Sequence, residues 1–89
     1  MIRRELRVTN RLGLHARATA KLVQLLSGYP CQATLEPRGR EVNAKSIMGV
    51  MLLAVGPGAE VVLQVDGEDE QAAADAVTAL FERRFDEDS

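Results

Sequence analysis

Tryptophan is absent from this 89-residue chain, and the only rings with a chemical handle or a stacking face are Tyr29, Phe81, Phe85 and the single histidine, His15. Three aromatics and a net charge of −2 supply neither the stacking platforms nor the basic field of a nucleic-acid binder. One cysteine cannot form an internal disulfide. Cys31 falls inside a short apolar alternation and reads as a reduced core thiol, with a redox role as the alternative. No apolar run approaches the ~20 residues of a membrane span, and Met1-Ile2-Arg3-Arg4-Glu5 is charged at once, unlike a signal peptide. A cytoplasmic protein with no membrane insertion is expected. Neither a G-x-x-x-x-G-K-S/T run nor a G-x-G-x-x-G run is present, and there is no His/Cys cluster, so no nucleotide loop, metal or other cofactor is expected. The length suits one core and leaves nothing for a second lobe closing over a deep cleft. A single domain over 1–89 is expected, and a self-sufficient enzyme is disfavoured.

What is present is ordinary for a folded domain, 46% hydrophobic and 27% charged. Ile2, Leu6 and Val8 alternate with charged residues over Ile2–Thr9, the pattern of a half-buried strand. Asn10 to Leu14 reads as a loop. The period turns helical from Ala16 to Ser27, with Thr19, Leu22, Val23 and Leu26 on one face and Arg17, Lys21 and Gln24 on another, and Gly28-Tyr29-Pro30 stops it. Cys31, Ala33 and Leu35 form a second alternation, Pro37-Arg38-Gly39-Arg40 a turn, and Glu41-Val42-Asn43 a short returning strand. Ser46 suits the N-cap of a helix from Ile47 to about Leu53. Ile47, Met48, Val50, Met51, Leu52 and Leu53 leave that helix no polar face, so it is either buried all round or a docking surface. Val61, Leu63 and Val65 mark a fourth strand, and a last helix follows Asp66-Gly67-Glu68-Asp69, with Ala73, Val77, Leu80 and Phe81 facing the core. The acidic tail, residues 86–89, is expected to fray. The order β-α-β-β-α-β-α predicts a two-layer α+β domain with its helices on one face of a mostly antiparallel sheet.

His15 stands at the junction of loop and helix. Neutral imidazole offers a nucleophilic lone pair near pH 7, the first N–H groups of a helix accept an anion, and Arg17 brings a planar, permanent charge suited to phosphate oxygens. A plain surface histidine near a helix cap is the alternative.

Two segments then resemble one family. Thr9-Asn10-Arg11-Leu12-Gly13-Leu14-His15-Ala16-Arg17 resembles the active-site signature of HPr, the histidine-containing phosphocarriers of the sugar phosphotransferase system, and Asn43-Ala44-Lys45-Ser46-Ile47-Met48-Gly49-Val50-Met51 resembles its regulatory-serine signature. The similarity runs to about Phe85. One departure is Ala18, where the family commonly has proline; alanine keeps the helix and adds a backbone donor.

The resemblance implies an open-faced β-sandwich, a four-stranded antiparallel sheet covered on one face by three helices. It implies that His15 is phosphorylated, at Nδ1 as in family members, by phosphoenolpyruvate-charged enzyme I and passes the group to EIIA domains of the sugar or nitrogen branch. Arg17 and the backbone amides of Ala16 and Arg17 would hold the phosphoryl group. Ser46 would be a target of HPr kinase/phosphorylase as well as an N-cap. Ile47, Met48 and Met51, with Lys21 and Gln24, would form the partner surface of a monomer. A regulatory binding module of the same fold, using Ser46 more than His15, is the alternative in a different class; retention of both His15 and Arg17 argues against it.

Overall fold

The alternations and periods become β1 (Ile2–Arg7), α1 (Ala16–Ser27), β2 (Gln32–Glu36), β3 (Val42–Asn43), α2 (Ile47–Met51), β4 (Glu60–Asp66) and α3 (Glu70–Glu82) in a computed structural model describing residues 1–37 and 39–87. Arg38 of the expected turn, with Asp88 and Ser89 of the tail, lies outside the described residues.

The sheet is antiparallel throughout, in the order β1-β4-β2-β3. Ile2 lies opposite Val65 and Arg7 opposite Glu60, while Ala33 lies opposite Val65 and Leu35 opposite Leu63. This register puts Leu6, Ala33, Leu35, Val61, Leu63 and Val65 on one buried face, because side chains two apart share a side of the pleat. Ala18, Leu22 and Leu26 of α1 and Ala73, Ala74, Val77, Leu80 and Phe81 of α3 close over that face. Each fully buried branched or aromatic side chain contributes on the order of 1.5–3 kcal/mol. The opposite face carries Arg3, Glu5, Arg7 and Gln32 to solvent. The fold is the open-faced α+β sandwich, with three α-helices among the described residues.

Three elements end differently from expectation. The ladder of β1 stops at Arg7 and not Thr9: the Val8 amide still reaches the Ala59 carbonyl at 2.9 Å, but Gly58 returns the bond to the Val8 carbonyl at 2.7 Å, a one-residue slip that breaks the pairing. Helix α2 ends at Met51 and not about Leu53. The amides of Leu53 and Ala54 bond to carbonyls only three residues back, and Ala54 turns left-handed at φ 50°.

The third difference lies in Asp86 and Glu87, the described part of the tail of residues 86–89 that was expected to fray. Arg84, Phe85 and Asp86 form a left-handed turn with φ of 55°, 56° and 62°, a conformation costing a non-glycine residue roughly 1–2 kcal/mol. Packing and polar contacts offset it. Phe85 is fully buried with its ring centroid 4.9 Å from that of Phe81, Lys21 Nζ donates to the Phe85 carbonyl at 2.8 Å, and Arg83 Nε donates to Asp86 Oδ1 at 2.9 Å. The turn reverses the chain and carries Glu87 back toward α1.

Candidate functional site

The loop before α1 is shaped by Gly13, whose φ of +68° suits glycine and whose missing Cβ would lie 2.4 Å from the Val55 carbonyl oxygen. That close approach lets the Leu14 amide donate to the same carbonyl at 3.0 Å, pinning the loop to the segment after α2. Thr19 completes the junction. Its hydroxyl donates to the Leu14 carbonyl at 3.1 Å and its amide to the His15 carbonyl at 2.9 Å, so His15 becomes the N-cap residue of α1.

His15 has extended backbone, φ −77° and ψ −179°, and its side chain makes no capping bond to the helix. The leading amides of Ala16 and Arg17 are therefore left without intrahelical partners at the positive end of a 12-residue helix. Arg17 is exposed on the first turn. Ala18, at the departure from the family pattern, is fully buried and helical, so the helix begins without proline.

The imidazole is less open than the sequence implies. Its side chain is 27% exposed, and Nε2 lies 2.6 Å from Glu87 Oε2. The other oxygen of that carboxylate, Oε1, accepts from Asn10 Nδ2 at 3.0 Å, and the same Asn10 amide donates to the Gly13 carbonyl at 2.7 Å. Asn10 holds the Glu87 carboxyl below its ordinary value; the bond to His15 and the fields of His15 and Arg17 act in the same direction, against partial desolvation. The Glu87 carboxylate therefore faces Nε2 of the ring as a hydrogen-bond acceptor. Asn10 and Glu87 were not singled out in the sequence; a polar residue at the end of an apolar alternation is the only local signal of the first, and an acid in a polar run carries none for the second.

Ser46 caps α2 as expected: its Oγ accepts the Gly49 amide at 3.0 Å. Ile47, Met48 and Met51 are exposed, by 45%, 67% and 41%, which decides between burial and display for α2. Leu52, of the same apolar run, is also exposed, at 65%, as is Leu12 in the loop before α1, at 64%, which the sequence had not singled out for display. Gln24 is exposed, whereas Lys21, expected on the partner surface, is engaged by the tail through Phe85 and, at 3.6 Å, Asp86. Among the described residues no His/Cys/Asp/Glu group is arranged to hold a metal, and no helix is long and apolar enough to cross a membrane.

The family model described as the PTS HPr component phosphorylation site matches residues 2–83. The chain belongs to the HPr family. It is 60% identical to the phosphocarrier protein HPr of Xylella fastidiosa over 89 residues, covering all of both chains. It is 53% identical to that of Cupriavidus necator over 87 residues, 98% of each. The crystal structure of HPr from Thermoanaerobacter tengcongensis superposes with a TM-score of 0.97 at 40% identity, again over both whole chains. HPr proteins are phosphocarriers of the phosphotransferase system.

Proposed function

We propose that His15 accepts a phosphoryl group from phosphoenolpyruvate-charged enzyme I and hands it to EIIA domains, the chain acting as a monomer in the cytoplasm. The observation that carries this reading is the placement of the imidazole at the cap of α1, beside the Ala16 and Arg17 amides, which lack intrahelical partners, and the exposed Arg17 guanidinium. With Nε2 tied to Glu87, Nδ1 is the nitrogen left to attack phosphorus. The amides and Arg17 then receive the negative oxygens.

A relay must release what it binds, and a site that held the phosphohistidine too tightly would trap it. A part-exposed ring with one arginine and a helix start meets that demand. The exposed apolar residues Leu12, Ile47, Met48, Met51 and Leu52 are the docking positions for enzyme I and EIIA in this reading, with exposed Gln24 as a polar partner contact. Regulation enters at Ser46. Phosphorylation there by HPr kinase/phosphorylase puts about −1.5 to −2 charges at the edge of that surface and lowers its affinity for enzyme I.

Labelled phosphoenolpyruvate and purified enzyme I test the carrier role. Acid-labile label is expected on the wild-type chain and absent from His15→Ala; label retained by that variant, or never acquired by the wild type, refutes it.

A further inference from the structure

Three features of the structure are costly by themselves and meet at one point. Arg84, Phe85 and Asp86 adopt a left-handed turn unfavourable to side chains of their size. Asn10 is fully buried, and its Oδ1 has no hydrogen-bond partner among the described residues, which costs on the order of 1–3 kcal/mol. Glu87 draws a carboxylate to 13% exposure. What the three achieve together is a carboxylate fixed at both oxygens, one by Asn10 Nδ2 at 3.0 Å and one against His15 Nε2 at 2.6 Å. Both partners of the Asn10 amide are acceptors, the Gly13 carbonyl and Glu87, so its orientation is set and Oδ1 is necessarily the atom left over.

We propose that Glu87, anchored by Asn10, is the positioning residue of the phosphoryl-transfer site: it holds the proton of His15 on Nε2 and so presents Nδ1 as the nucleophile. This rests on the carrier reading of His15. In the step itself the Nδ1 lone pair forms the new N–P bond, the donor's bond to phosphorus breaks, and its electron pair leaves with the donor. Nε2 keeps its proton, so positive charge appears on the ring, and the Glu87 carboxylate faces that charge without taking the proton. Lys21 and the buried Phe85 ring set the reach of the tail; Asn10 sets the angle of the carboxylate.

The test needs no partner protein. Nitrogen-15 spectra of the full-length chain with labelled histidine report the tautomer directly, and phosphoramidate serves as a small-molecule phosphoryl donor. The wild-type neutral ring is expected almost wholly as the Nε2–H tautomer, with phosphorylation on Nδ1. Glu87→Ala is expected to give a mixture of tautomers and to lower the ratio of Nδ1 to Nε2 product about tenfold, the equivalent of one charge-assisted hydrogen bond. Asn10→Ser, too short to reach Glu87, should shift the tautomers in the same direction, and should add nothing in the Glu87→Ala background. Unchanged tautomer and product ratios in Glu87→Ala overturn the proposal, as does an Asn10→Ser effect that persists without Glu87. A wild-type chain labelled on Nδ1 by phosphoramidate but never by enzyme I would sink the carrier reading while leaving this one standing.

Discussion

Lys21 Nζ donates to the main-chain carbonyl of Phe85 at 2.8 Å, joining α1 to a turn 64 positions further on. That bond and the buried Phe85 ring together hold the left-handed turn in place. Phe85→Ala empties a fully buried site and should cost about 3–5 kcal/mol, read as a lower urea midpoint. Lys21→Met keeps the apolar stem and removes only the donor, so a loss of about 1 kcal/mol is expected in the same measurement.

Gly13→Ala should destabilise by about 1–3 kcal/mol. The added Cβ meets the Val55 carbonyl oxygen at 2.4 Å in a backbone conformation that already disfavours a side chain. The loop carrying His15 must move to relieve it, so enzyme I should phosphorylate the variant more slowly even at temperatures where it stays folded.

Ser46→Ala removes the cap at Gly49 and should lower stability by about 1 kcal/mol without changing the rate of His15 phosphorylation. Ser46→Asp can still accept from the α2 amides and should remain folded. Its charge beside Ile47 and Met48 should raise the concentration of chain needed for half-maximal phosphorylation by enzyme I, and an unaltered value would count against regulation at this serine.

Met48→Glu should weaken association with enzyme I about tenfold or more while leaving the thermal midpoint near that of the wild type, because Met48 is 67% exposed and contributes little to the core. Titration calorimetry against enzyme I separates this from an effect on folding.

Acid should loosen the molecule through identifiable carboxylates. Asn10 and His15 lower the Glu87 value, the N-terminal ammonium lowers that of Glu70, and Arg4 that of Asp75. A lowered carboxyl stabilises fully above its ordinary value, 4.5 for Glu and 3.8 for Asp, and that contribution disappears as pH falls through the lower folded value. The Met1 ammonium, raised mainly by its bond to Glu70, acts in the opposite sense: its contribution is complete below 8.0 and is lost as pH climbs through the raised folded value. The thermal midpoint should therefore peak between these limits, and Glu87→Gln should flatten the acid limb.

The strands and the two long helices were legible because their signals are local. Val61, Leu63 and Val65 alternate, Ala73 and Val77 repeat at helical spacing, and both patterns survive folding unaltered. The junction at His15 was legible too, since a cap, an arginine and an imidazole sit within three positions. What sequence reading missed is what depends on distant partners. Glu87 looks like one solvated acid among several until Phe85 is seen in the core, and Lys21 looks like a surface charge until the tail folds over it. Ala54, with no glycine to advertise a left-handed residue, gave no warning that α2 would end at Met51.

The sheet order sets a schedule for synthesis. β1 leaves the ribosome first, yet its hydrogen-bonding partner is β4, whose register runs from Glu60 to Val65. Until that stretch has emerged the opening strand has nothing to zip against, and the imbalance between early and late segments favours folding that waits for most of the polypeptide over folding that proceeds from the front.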